Sequence, residues 1–262
     1  MLYEEFDPLP GPSPWIANHW RFAVEAHDPE AFEHVIVPDG ALSVSVAVSG
    51  DGPMSPVVFA GPSPTAHRVT VQRGWTYVGV RLHPAACGPL LRIDAGALAG
   101  KIGLLAMVAP DAARVLDSFV QSSPRDVSAL HATLDSAIKA LAEGAENPDA
   151  AVVRAVDSLL ESHGATPIGR LASASGLSTR QLRRAFQSHV GLSPKAFARI
   201  RRLRHACILM LMGQDGRLAN VSQDGGYADQ PHLTREFRGV FGSSPRLVEA
   251  YLRQIEHVAV QD

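Results

Sequence analysis

The sequence predicts an α+β chain of two domains. The first is a β-rich barrel or sandwich, a cupin-like arrangement among the options, extended by helices. The second is an all-helical module of two helical hairpins joined by a long helix. Three observations carry this. Up to residue 83 the chain runs in short alternating apolar segments broken by Pro and Gly. From residue 84 it becomes Ala- and Leu-rich with helical spacing. Charge divides as well: residues 1–149 carry 9 Lys+Arg against 17 Asp+Glu, and residues 150–262 carry 15 against 9. An acidic half joined to a basic half suggests that only the second meets a polyanion.

The elements follow in order. WIANHWRFAV (15–24) reads as a strand. The turn signal PDG (38–40) precedes LSVSVAV, whose Leu42, Val44 and Val46 share one face, and SGDGP (49–53) ends it. VVFAG (57–61), HRVTVQ (67–72) and WTYVGVRL (75–82) are further strands between Pro and Gly breakers. Helices are expected near 84–91, 95–107, 110–121 and 126–143. The polar stretch AEGAENPDA (142–150) reads as a linker. The expected division is therefore a domain over 1–145, a linker over 146–150, and a module over 151–262 that is helical to Asp262.

Composition excludes several classes. With 262 residues, 46% of them apolar, the chain can bury two cores. Cys87 and Cys207 fit no zinc spacing and no disulfide framework. No apolar run reaches the roughly 18 residues of a membrane span, so no membrane partner is expected and a reduced cytoplasmic setting is. His19, His34, His67 and His83 are scattered, without H-x-H or H-E-x-x-H spacing. No nucleophile elbow, phosphate-binding loop or dinucleotide fingerprint is present. No catalytic residue, metal or cofactor is expected, and the chain reads as a non-enzyme. Trp15, Trp20, Trp75 and Tyr77 could line a pocket, although aromatics in strands more often fill a core.

The second half carries the motif. Thr166-Pro167 reads as a helix start, with Ile168, Leu171 and Ala172 on one face. Gly176 breaks that helix, and Ser178 with Gln181 has the capping-box spacing that starts the next. A short helix, a three-residue turn and a second helix make helix-turn-helix spacing. The unit recurs: LRRAFQSHVGLSP (182–194) aligns without gaps with LTREFRGVFGSSP (233–245), 51 residues on, with six of thirteen positions identical. Repeated core residues alone indicate only a duplicated hairpin. The repeated outward Arg184 and Arg235 are harder to explain by packing. Between the copies lies AFARIRRLRHACILMLM (196–212), whose Arg199, Arg201, Arg202 and Arg204 suit either phosphate contact or a solvated face.

With its LA-x3-GLS-x-R-x-L-x-R-x-F-x4-G-x-SP pattern and the second GY-x-D-x4-L-x-R-x-F-x4-G-x-SP, residues 150–262 resemble the AraC/XylS-type DNA-binding module. The segment over roughly 3–145, with HVIVPDGALSVSVAV and VGVRLHPAACGPLL, resembles the domain that precedes this module in many actinobacterial-type regulators. Three departures fall in the second unit: Ser222 where Ala is usual, Leu233 where Phe is common, and Leu247-Val248 where an aromatic is frequent. The resemblance implies a transcription regulator whose two recognition helices, near 179–189 and 230–240, enter successive major-groove faces of double-stranded DNA.

By motif position Arg180, Arg183 and Arg184 match the family's base-facing sites, and Gln230, Thr234 and Arg235 share the matching face of the second unit. Arg bridges guanine O6 and N7, and Gln pairs with adenine. Pro231 on that face has no donor to offer, and His232 could face DNA or protein. Thr179, Gln181, Gln187, Arg202 and Arg238 are the expected phosphate contacts. The first domain is expected to bind a small effector, to form a homodimer, or both; RNA polymerase is a further candidate partner, and the bound protein would sit on the nucleoid. The competing reading is a small-molecule- or metal-binding β-barrel enzyme with an accessory DNA-binding module. Repair methyltransferases that carry such a module need more cysteines than the two present.

Overall fold

The computed structural model describes residues 1–8, 13–50, 52, 54–124, 126–213 and 218–258, so part of the SGDGP turn lies outside the described residues. Ahead of residue 83 come β1 (Leu2–Phe6), β2 (Ile16–Ala23), β3 (Ala31–Ile36), β4 (Ser43–Ser49), β5 (Val58–Ala60), β6 (His67–Gln72) and β7 (Trp75–Leu82). After α1 (Cys87–Leu91) and a 3-10 turn follow β8 (Ile102–Leu104), α2 (Pro110–Gln121) and α3 (Val127–Ala142). The rest is α4 (Ala150–Glu161), α5 (Ile168–Ala174), α6 (Thr179–Val190), α7 (Pro194–Met212), α8 (Leu218–Asp224), α9 (Gln230–Phe241), α10 (Pro245–Leu252) and β9 (Glu256–Val258).

The β-rich half is an open sheet, not a barrel. Its order is β8-β5-β4-β7-β2-β1-β9, and β3 pairs with β6 as a separate two-stranded sheet. Closure fails because β3 and β6 pair with each other and leave the edges unbridged; β8, at one edge, is three residues long. The helix expected over 95–107 is replaced by two 3-10 turns flanking β8. Gly100, at φ 72°, ends the first turn in the left-handed region that glycine adopts without strain. The C-terminal stretch is not helical throughout either, because β9 adds to β1 in parallel, with Leu2 opposite Glu256.

Register fixes which side chains face which layer. Val80 lies opposite both Val44 and His19, while Gly79 lies opposite Ser45 and Trp20. Side chains alternate across a strand, so the first row faces one side of the sheet and the second row the other. Val44, Val46, Val78 and Val80 pack beneath α1, α2 and α3 with Leu90, Leu116, Leu134 and Ile138. Trp20, Phe22 and Tyr77 face the β3–β6 ribbon and the helices beyond it, in a cluster that also holds Leu203, Cys207, Met210 and Leu252. The apolar core thus runs without a break from the sheet into the helical module.

A hydrogen-bonded ring contact ties the ribbon to α10. The Tyr251 hydroxyl lies 2.7 Å from His34 Nδ1 and accepts from the Val35 amide at 3.0 Å. Burial pushes the His34 imidazole down to about 4, and His19, His67 and His131 are lowered mainly by burial too. A lowered imidazole resists protonation in the folded state only. Its stabilising effect is whole above the unfolded value near 6.5 and is lost as pH falls toward the folded one. Melting temperature is therefore expected to drop between pH 6.5 and 4. In His34→Phe the drop should be shallower; an unchanged slope would take His34 out of the acid response.

Candidate nucleic-acid interface

The first helical unit is built from local signals. Pro167, not Thr166, occupies the N-cap of α5, and the Thr166 hydroxyl instead donates to Ser162 Oγ at 2.8 Å. Gly176 takes φ 70° in the turn. The capping box is realised: the Gln181 amide donates to Ser178 Oγ at 3.3 Å, and Gln181 Oε1 accepts from the Ser178 amide at 2.9 Å. Leu182, Phe186 and Val190 turn inward, with the Phe186 ring edge-on to Phe197 at 5.5 Å. That phase leaves Thr179, Arg180, Gln181, Arg183, Arg184 and Gln187 exposed.

The second unit repeats the frame 51 residues on. Gly226 takes φ 71°, and Asp229 caps α9 by accepting from the His232 amide at 2.6 Å. Leu233, Phe237 and Phe241 fill the inward positions. Both helices end on a left-handed glycine, Gly191 and Gly242. Gln230, Pro231, Arg235 and Arg238 are exposed, and Thr234 is half-buried with its hydroxyl donating to the Gln230 carbonyl at 3.0 Å. His232 turns back to protein, its ring edge-on to Tyr227 at 5.4 Å. The three departures from the family pattern are absorbed: Ser222 is buried and donates to the Ala219 carbonyl at 2.8 Å, Leu233 is buried, and Leu247 lies outside while Val248 takes the core position.

Arginines divide by environment. Among the described residues, Arg180, Arg183, Arg184, Arg235 and Arg238 make no ion pair or side-chain hydrogen bond. On α7 the pattern is reversed: Arg199 pairs with Glu236, Arg202 donates to the Gly164 carbonyl at 3.3 Å, and Arg204 lies 3.5 Å from Glu5. Gln187 is also engaged, donating to the Gly191 carbonyl at 2.9 Å. Sequence reasoning had no signal for these engagements, since each partner is a carbonyl or a distant acid.

The carboxyl ends of α6 and α9 both rest on the β-rich half. A Cβ on Gly88 would come within 2.4 Å of the Ser188 carbonyl, and one on Gly191 within 2.7 Å of the Ala95 carbonyl. At α9, Arg68 donates to the Phe241 carbonyl at 3.0 Å and the Ala66 amide to the Val240 carbonyl at 2.9 Å. Cationic donors at carbonyl-rich helix ends are favourable. The amino-terminal halves, which carry Arg180 to Arg184 and Gln230 to Arg235, stay clear of this seam.

The other chemistry-bearing groups do not converge. His19 is buried 3.6 Å from Asp135, and His83 meets Asp157 at 3.0 Å. His34 meets Tyr251, and His67 bonds the Gly61 carbonyl. Burial pushes both cysteine thiols up to about 12, which removes them as nucleophiles. Among the described residues, Glu25, His27 and Asp28 alone group as metal ligands would, and Asp28 already holds the Met1 ammonium at 2.9 Å. No helix there is long and apolar enough to cross a membrane.

A cavity of about 290 Å³ lies between the open sheet, the β3–β6 ribbon and α7. Of the four aromatics singled out in the sequence, Trp20 and Tyr77 line it, while Trp15 belongs to the core on the other face. Gly79 makes room for the Trp20 indole, because a Cβ there would come within 2.4 Å of the ring.

Residues 171–250 match a family described as a helix-turn-helix domain, and residues 4–102 match a domain of unknown function. The HTH-type transcriptional activator RhaS of Escherichia fergusonii is 33% identical over 111 residues, which is 40% of this chain and 38% of that protein. The chain thus spans well under half the length of this relative. A probable AraC family transcriptional regulator from Rhodopseudomonas palustris is 28% identical over 39% of this chain and 96% of its own, with a TM-score of 0.35. ToxT from Vibrio cholerae is 10% identical over 90% of this chain and 96% of its own, with a TM-score of 0.44.

Proposed function

We propose that the chain is a helix-turn-helix regulator of the AraC/XylS type, which binds DNA at specific sequences and regulates transcription. The observation that carries this is the set of unpaired arginines on the outward faces of two similarly framed helices, in a molecule that pairs Arg199 and Arg204 of α7 with acids. α6 and α9 enter successive major-groove faces, about 34 Å apart. α7 has 19 residues and, at 1.5 Å each, spans about 28 Å, a fitting connector.

Arg180, Arg183, Arg184, Gln230, Thr234 and Arg235 read bases. Thr179, Gln181, Gln187, Arg202 and Arg238 hold phosphates. Residues 1–145 sense a small molecule, dimerise, or both, and 146–150 joins them to the DNA-binding domain at 151–262. Such a regulator works in the cytoplasm on the nucleoid and meets RNA polymerase at the promoter.

Selection of bound sequences from random DNA tests the reading, and absence of any enriched motif would end it. On the selected site, Arg183→Ala is expected to relax preference at one base position, by the ~1–3 kcal/mol of a bidentate guanine contact. Arg238→Ala should instead weaken all sequences alike and lower the salt slope by about one. Unchanged preference at every position would remove Arg183 from the readout.

A further inference from the structure

We propose that the cavity takes an uncharged, mainly apolar ligand; this rests on the reading of the first domain as a sensor. The charge balance argues for an uncharged occupant. The charged side chains lining the cavity are Asp39, Arg81 and Arg204. Arg81 pairs with Asp39 and donates to Glu5 at 2.8 Å, and Arg204 lies 3.5 Å from the same Glu5 carboxylate. Two cations thus face two anions. An anionic ligand would have to displace Glu5 or Asp39, and a cationic one would find no unpaired acid. Removing charge from water without a partner costs far more than apolar contact returns.

Most of the remaining wall is hydrocarbon, including Phe22, Val71, Ile208 and Leu211. Part of the wall belongs to the DNA-binding module, through Arg204, Cys207, Ile208 and Leu211 on α7 and Leu252 on α10. Occupancy therefore bears on the helix that joins α6 to α9, and any effect of the ligand on DNA affinity is matched by an equal effect of DNA on the ligand.

Two dyes of one skeleton test the charge rule on the full chain: uncharged N-phenyl-1-naphthylamine and the anionic 8-anilino-1-naphthalenesulfonate. The uncharged dye should saturate at one per chain and bind at least tenfold more tightly. Filling the cavity by Ile208→Trp should weaken it at least tenfold; if circular dichroism shows that variant unfolded, Leu211→Trp takes its place. Tighter, variant-sensitive binding of the sulfonate would overturn the uncharged class and leave the sensor reading standing. Saturation by neither dye would remove both. Binding unaffected by the filling variants would remove the cavity as the site.

Discussion

Replacing Phe186 by alanine is expected to cost about 3–5 kcal/mol, the range for a buried aromatic cut to a methyl group. Phe186 is fully buried and packs edge-on against Phe197, so it joins α6 to the start of α7 within a cluster that also includes Val156, Leu171 and Leu182. Little around it can collapse into the space, because Phe197 is itself wedged against Gly40, where a Cβ would come within 2.5 Å of its ring. A loss of that size is a large share of the ~5–15 kcal/mol that holds a domain together. Urea unfolding followed by circular dichroism measures it, and specific DNA binding should vanish with the fold of the first unit. A loss below about 1 kcal/mol would show that Phe186 is not the hinge of that packing.

Glu5→Gln is the second large effect. The Glu5 carboxylate accepts from Tyr3 at 2.6 Å, Asn18 at 3.2 Å and Arg81 at 2.8 Å, and faces Arg204 from α7. Burial alone would raise its pKa, but Arg81 and Arg204 hold it below the usual carboxylate range. Breaking one member of a buried ion cluster typically costs about 3–5 kcal/mol, since the partners stay buried without it. A lowered carboxyl stabilises above its unfolded value and loses that effect as pH falls. The variant should therefore melt well below the parent at pH 7 and approach it near pH 4 and lower. A constant gap across that range would assign the loss to packing rather than to charge.

The features legible in the sequence are those set by neighbours along the chain. Ser178 and Gln181 cap a helix three residues apart, and Gly191 and Gly242 end helices wherever they stand, so both units and their outward faces could be read directly. β4 and β7 were legible because one side of each is packed in apolar residues and the alternation survives. β1 was not: its Glu4 and Glu5 look solvated in sequence, whereas their partners Arg21 and Arg81 come from β2 and β7. β9 is too short to carry a pattern. Trp20 and Tyr77 look the same in a core strand and in a cavity wall. What decides between the two is the missing side chain of Gly79 and the distance to the β3–β6 ribbon, and neither is local. For the same reason Arg202 reads as a free donor until Gly164 is placed beside it.

The seam between the halves also sets a schedule for synthesis. His34 and Tyr251 stand 217 residues apart in the chain, so at ~5–20 residues per second the β3–β6 ribbon waits on the order of 10–40 s for its partner to be made. Arg68 waits across 173 residues for the carbonyl it caps. Through that interval the inner side of the nascent sheet, with Phe22, Val71 and Tyr77, has only itself and any chaperone for company.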